Sequence, residues 1–238
     1  MKKIVLIALA AFVLSCNGII GNGFKVSGEV KGLADGTNVF LEKQDPKTGL
    51  VTVDTVKIEK GKFTFEGETK EPEIHLIQID KVNGKVPFVL EKGNIDIIVD
   101  KDSLGKSKTS GTFNNDELAK YNAEMMKIQK RMMAFQNKNM AAMQAASQSN
   151  DTVVINRLRK EYSKFQDEYT VGNYKYIENN PKSFLSVLLI EGMFDMPDAK
   201  LDKIKKYYDA LDASVKDTKP GKNIKTKLGG EKKNSLKK

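Results

Sequence analysis

Asn114-Asn115-Asp116-Glu117 divides this 238-residue chain into two parts whose apolar residues repeat with different periods. Upstream the period is two: Phe24, Val26 and Val30 alternate with Lys25, Ser27 and Glu29, as in a half-buried strand. Further β-branched and aromatic runs at 39–43, 51–58, 63–65, 74–79, 88–90 and 95–99 are separated by turn residues. Turns at 45–49, at Lys60-Gly61 and at Asn83-Gly84 suggest three hairpins, the Asn-Gly pair being the strongest short-range hairpin signal. Seven or eight short strands at this spacing predict an antiparallel β-sandwich over residues 24–113.

Downstream the period becomes helical. Asn114 or Asn115 is suited to cap a helix, and Asp116 and Glu117 favour its first turn. Leu118, Tyr121, Met125, Ile128, Met132 and Phe135 follow at spacings of three and four, and Ile155, Leu158, Tyr162, Phe165 and Tyr169 repeat the pattern beyond a bend at 144–150. Two long helices packed as an antiparallel hairpin are expected, with Phe165 buried and Lys164 in solvent. Asn179-Asn180-Pro181 ends the second, Ser183 caps a short apolar helix over 184–193, and Leu201, Ile204, Tyr208 and Leu211 mark a last one. The predicted class is therefore α+β, a sandwich followed by an α-helical domain over 114–218. Pro220-Gly221 is expected to stop regular structure, leaving 219–238 as a disordered basic tail.

The opening residues give an address. Met1-Lys2-Lys3 precedes an apolar run at 4–14 that is too short to span a bilayer, and 1–15 has the pattern of a cleaved signal peptide. Val13-Leu14-Ser15-Cys16 resembles the bacterial lipobox, which implies a diacylglycerol on Cys16 and a tether over 16–23. The expected setting is the cell envelope, facing the periplasm, with the membrane as a partner through that anchor.

Charge narrows the function. The formal +9 consists of Lys2 and Lys3 together with net +7 over 219–238, so residues 17–218 are formally neutral. A folded basic face of the kind nucleic-acid readers use is not expected, whereas the tail suits anionic headgroups or an acidic partner. Cys16 and His75 are single, which excludes a disulfide framework, a thiolate zinc site and a Cys-x-x-Cys pair. His75 lies in a strand with no marked nucleophile, and Glu71 and Glu73 flank Pro72 at a strand entrance; both read as structural. Gly21-Asn22-Gly23 lacks the strand and helix of a dinucleotide loop. No catalytic, cofactor-binding or metal-ligating residue is assigned, and no cofactor is expected. Met125, Met126, Met132, Met133, Met140 and Met143 share one helix, and their thioethers raise copper or haem binding as the alternative to a core or partner surface.

Residues 26–36, Val53-Asp54-Thr55, residues 61–67 and residues 90–95, followed by Gly111-Thr112-Phe113-Asn114-Asn115 and residues 178–183, resemble a known arrangement. It is the domain of unknown function, with a helical extension, that precedes a thioredoxin-like domain in envelope disulfide reductases of Bacteroidetes. The resemblance implies a thiol-exchange setting. No catalytic residue carries over, because this sequence has no tryptophan and no cysteine beyond Cys16. The expectation is a non-enzymatic envelope lipoprotein that binds a protein partner or a small ligand, with the partner of a separate thioredoxin-like reductase as a further alternative.

Overall fold

Alternation of inward apolar and outward polar residues builds the first half. The computed structural model describes residues 22–235 except Asp198. Strands β1 (Gly23–Val30), β2 (Asn38–Asp45), β3 (Gly49–Lys57), β4 (Lys62–Glu68), β5 (Glu73–Ile79), β6 (Val86–Leu90), β7 (Gly93–Val99) and β8 (Lys108–Ser110) form two four-stranded sheets, ordered β4-β1-β7-β8 and β3-β2-β5-β6. Phe24, Val26, Phe63, Phe65, Ile95 and Ile97 of one sheet and Val39, Leu41, Ile77, Ile79 and Phe88 of the other bury one shared core.

Two pairings differ from the sequence expectation. Lys60-Gly61 does not close a hairpin between sheet neighbours: β3 and β4 lie in different sheets, so this turn carries the chain across the sandwich. It is held there by Val30 N–H donating to Gly61 O at 2.9 Å. Strands β1 and β7 pair in parallel, Val26 opposite Ile95, within an otherwise antiparallel pair of sheets. Parallel neighbours require a long crossover, which short turn signals do not register.

The helical half comprises α1 (Phe113–Gln148), α2 (Thr152–Asn179), α3 (Phe184–Gly192), α4 (Leu201–Ala210), α5 (Ala213–Lys216) and α6 (Lys219–Ser235). The bend between α1 and α2 is shorter than expected. Helix α1 runs on to Gln148, Asn150 takes a positive φ, and the Asp151 carboxylate caps α2 by accepting from the Val153 and Val154 N–H groups. Ser183 caps α3 through the Leu185 N–H, as its sequence suggests. In α4 the buried stripe is Ile204 and Tyr207, with Tyr208 half-buried and Leu201 exposed. Tyr207 donates to Glu178 Oε1 at 3.1 Å, and burial first, then that bond, pushes its phenol up to about 12.

The tail is the largest correction. Residues 219–235 are helical, not irregular, and Gly221, Ile224 and Leu228 turn inward against α3, α4 and α5. Pro220 is tolerated because it sits in the first turn, where its missing N–H has no intrahelical acceptor. Gly221 is required by closeness: a Cβ there would stand 2.5 Å from Lys216 O.

The α1–α2 hairpin also packs more loosely than its seams predict. Leu118, Tyr121, Ile128 and Leu158 are buried, but Met125, Met132, Phe135, Ile155, Tyr162 and Phe165 are only half-buried. Phe165 stacks on Phe135 with ring centroids 5.7 Å apart and remains partly in contact with solvent, so the expectation that it is buried is corrected. Two helices without a third layer can cover only a narrow stripe of each other.

Candidate functional site

The residues read as helix caps are instead the joint between the two halves. The N-cap of α1 is Thr112, whose side chain makes no capping bond. Asn115, one turn on, is fully buried. Its Oδ1 accepts from Val89 N–H at 3.0 Å, while its Nδ2 donates to Val89 O at 2.7 Å and to Thr112 Oγ1 at 2.8 Å. A side-chain amide thus supplies the donor and acceptor that a neighbouring strand would offer to β6. Beside it, the Glu91 carboxylate accepts from Asn114 N–H at 2.9 Å and Asn114 Nδ2 at 2.6 Å, and Asn114 Oδ1 accepts from Phe184 N–H at 2.8 Å. Ile74 and Val89, on the outer face of β5 and β6, close the joint against Leu118, Tyr121, Phe184 and Leu185. Glu91 lies in the stretch 90–95, and nothing local to that stretch signals its bonds to Asn114.

Every buried side-chain nitrogen or oxygen among the described residues has a partner, so no orphan group there points to a ligand. Tyr121 and Tyr176 meet edge to face at 5.2 Å, with Tyr121 donating to Asn173 Oδ1 at 2.7 Å and Tyr176 sharing a 2.9 Å bond with Ser183 Oγ. Burial pushes the Tyr176 phenol up to about 12 and the Tyr121 phenol higher still.

The hairpin beyond the joint has two unlike sides. One carries the pairs Lys120–Glu117, Lys127–Glu124 and Arg131–Glu168. The other holds a cleft of about 640 Å³ lined by Met125, Met126, Met132, Phe165 and Tyr169, and nearer the tip lies a cleft of about 840 Å³ with Phe135, Met140, Met143, Leu158 and Tyr162. Met133 is 52% exposed, Met140 63% and Tyr169 43%. These open apolar side chains are spread along the hairpin, Tyr169 beside Tyr121 at the joint end and Met140 in the cleft nearer the tip. The six methionines do not converge: from Met125 to Met143 the helix rises about 27 Å, so no single ion can collect them. Among the described residues no three His, Cys, Asp or Glu side chains stand together as a metal site.

The other singled-out residues divide between those described and Cys16. Cys16 lies outside the described residues. Glu73 pairs with Lys43 at 3.5 Å, and Glu71 Oε2 accepts from Lys219 N–H at 2.8 Å. His75 is buried beside Phe88, its Nδ1 3.4 Å from Glu73 O and its Nε2 4.0 Å from Glu73 Oε2. Burial holds its pKa below the usual value of 6.5, against the opposing pull of Glu73. A histidine that is harder to protonate when folded leaves stability unchanged above pH 6.5 and lowers it as pH falls through that value, because the unfolded chain binds the proton first. The urea midpoint is expected to drop between pH 7.5 and about 5.5, and His75→Gln to flatten that drop; an equal slope in both proteins would exclude His75 as its source.

Fold and joint together define an α+β protein in which a two-sheet sandwich carries a helical half on its outer face. Residues 24–118 are similar to a domain of unknown function, DUF4369, whose family model they match. The matched region covers all eight strands but for Gly23 and ends at Leu118, just past Asn114 and Asn115, so it takes in the α1 side of the joint. The match assigns no activity, substrate or partner. No curated protein matches the chain.

Proposed function

We propose that this chain is a non-enzymatic, lipid-anchored module of the cell envelope that works by holding a protein partner along its helical hairpin. One observation carries the reading: the methionine and aromatic side of α1–α2 is open, with Met133, Met140 and Tyr169 in solvent. Methionine suits such a surface because its unbranched, polarisable side chain adapts to a partner. The hydrogen-bonded joint at Asn114 and Asn115 fixes the direction in which the hairpin leaves the sandwich. The partner class we favour is a separate thioredoxin-like reductase, given the resemblance of this chain to the region preceding such domains and its lack of paired thiols. The six methionines cannot share one ion, so the copper alternative would rest on the three that line one cleft, Met125, Met126 and Met132.

A photocrosslinking residue placed at Met133 or Met140 in cells is expected to trap one discrete adduct, and one at the exposed Lys164 to trap none. Identical patterns at all three positions would remove the hairpin from the proposal. Metabolic labelling with an alkyne fatty acid is expected to mark the wild type and not Cys16→Ala, whose release from membranes should accompany the loss of label.

A further inference from the structure

Among the described residues, no ion pair joins Lys219, Lys222, Lys225 or Lys227 to a carboxylate, although the segment from 219 onward carries eight lysines and a single acidic residue, Glu231. The helix is two-sided. Gly221 and Ile224 are buried and Leu228 is half-buried, while Lys219, Lys222, Lys225 and Lys227 are exposed. Of these, Lys227 is drawn over the Phe194 ring at 4.9 Å, and Lys219 opens the helix beside Glu71, so Lys222 and Lys225 are the exposed pair between them. A lysine-rich sequence that could have remained an open chain is instead held against the fold with its charge on one face.

The position of that face is the second observation. Thr69 N–H donates to Asn22 O at 2.9 Å, Thr69 Oγ1 donates to Glu71 O at 2.8 Å, and Glu71 Oε2 accepts from Lys219 N–H at 2.8 Å. The first described residue of the chain and the first residue of α6 therefore lie at the same end of the molecule, three short links apart. Cys16 is six residues before Asn22, and six residues reach no farther than about 20 Å.

We infer that the exposed lysine face of α6 is a membrane-apposed surface that rests on anionic lipid headgroups when the chain is anchored. The inference rests on the lipid-anchor reading for its geometry. A tether of at most about 20 Å keeps the α6 end close enough for its lysines to come within a Debye length, about 8 Å at physiological salt, of the headgroups when the chain lies against the bilayer. Its charge logic is independent of the anchor. Lysine is a compact, rotatable donor suited to phosphate without sequence or shape selectivity, and several lysines on one face add their attraction to a negatively charged surface. The second contact would hold the sandwich end against the lipid and leave the hairpin directed by the joint.

The test uses the chain from Asn17 onward, which contains every described element and carries no lipid. It is expected to sediment with vesicles containing phosphatidylglycerol and not with pure phosphatidylcholine vesicles, and to be released as salt rises. Lys222→Gln combined with Lys225→Gln is expected to weaken partition by about an order of magnitude with an unchanged circular dichroism spectrum, whereas Lys120→Gln combined with Lys127→Gln on the hairpin should leave it unchanged. Equal binding to neutral vesicles, no loss in the α6 variant, or preference for a soluble polyanion such as heparin over the vesicles would overturn the inference. The fatty-acid label separates the two readings. Label on Cys16 without vesicle binding sinks this inference alone, and vesicle binding without label sinks the anchor and leaves the basic surface standing.

Discussion

Asn115→Leu is expected to destabilise the protein by about 3 to 5 kcal/mol, although leucine has a similar volume and is apolar in a buried place. The substitution strands three groups at once. Val89 N–H loses its acceptor, Val89 O loses its donor, and Thr112 Oγ1 loses the Asn115 amide. Each buried group left unpaired costs about 1 to 3 kcal/mol, and no other strand pairs with β6 on that side. Asn115→Asp separates the contributions, because it keeps one acceptor for Val89 N–H and replaces the donor with an oxygen facing Val89 O; it should be the worse variant at neutral pH and recover partly in acid, where the protonated carboxyl donates. Phe113→Ala, at a side chain 54% exposed two residues earlier, is the control and should cost little. Urea unfolding measures all three. A Leu variant no weaker than Phe113→Ala would show that the amide is not what joins the halves.

That prediction rests on a residue whose function was not legible beforehand, and the reason is physical. Asparagine before a helical run satisfies free N–H groups, and here Asn114 and Asn115 do satisfy backbone groups, but those of Val89 and Phe184 instead of their own helix. Local sequence reports the capacity for such bonds and not their address. Strand alternation was legible because burial on one sheet face writes itself into every second residue; Phe63 and Phe65 are buried with Thr64 exposed between them. The parallel contact of β1 with β7 joins segments about 70 residues apart in sequence and leaves no local trace. Helix α6 was hidden by composition. Its lysines read as a solvated tail, yet Gly221, Ile224 and Leu228, spaced three and four apart, suffice once α3, α4 and α5 offer a surface that already exists. The hairpin erred in the other direction: seams of correct spacing were read as buried, and without a covering layer Phe165 and Tyr169 stay open.

Gly28→Val is expected to cost about 3 to 5 kcal/mol, more than a surface-strand substitution could, because the place of its side chain is already occupied. Gly28 is central in β1, between β4 and β7, and its cross-strand partner is Phe63. The Phe63 ring lies flat over the glycine, so that a Cβ at position 28 would fall inside it, with Cζ and both ring Cε atoms as its nearest neighbours. The ring is 3% exposed and meets Phe65 edge to face at 6.0 Å, so it cannot retreat without disturbing the middle of the sandwich. An aromatic side chain here covers the bare backbone that a neighbouring glycine leaves, which is why a poor strand former is tolerated at this point. Phe63→Ala alone should cost a comparable 3 to 5 kcal/mol by opening a cavity, estimated from buried aromatic truncations as about that range. The two defects oppose each other. In the double variant the valine occupies space that the lost ring vacates, and the total should fall short of the sum by about 1 to 3 kcal/mol. Thermal and urea unfolding of both single variants and the double closes the cycle, and strict additivity would mean that Gly28 is kept for some reason other than the ring above it.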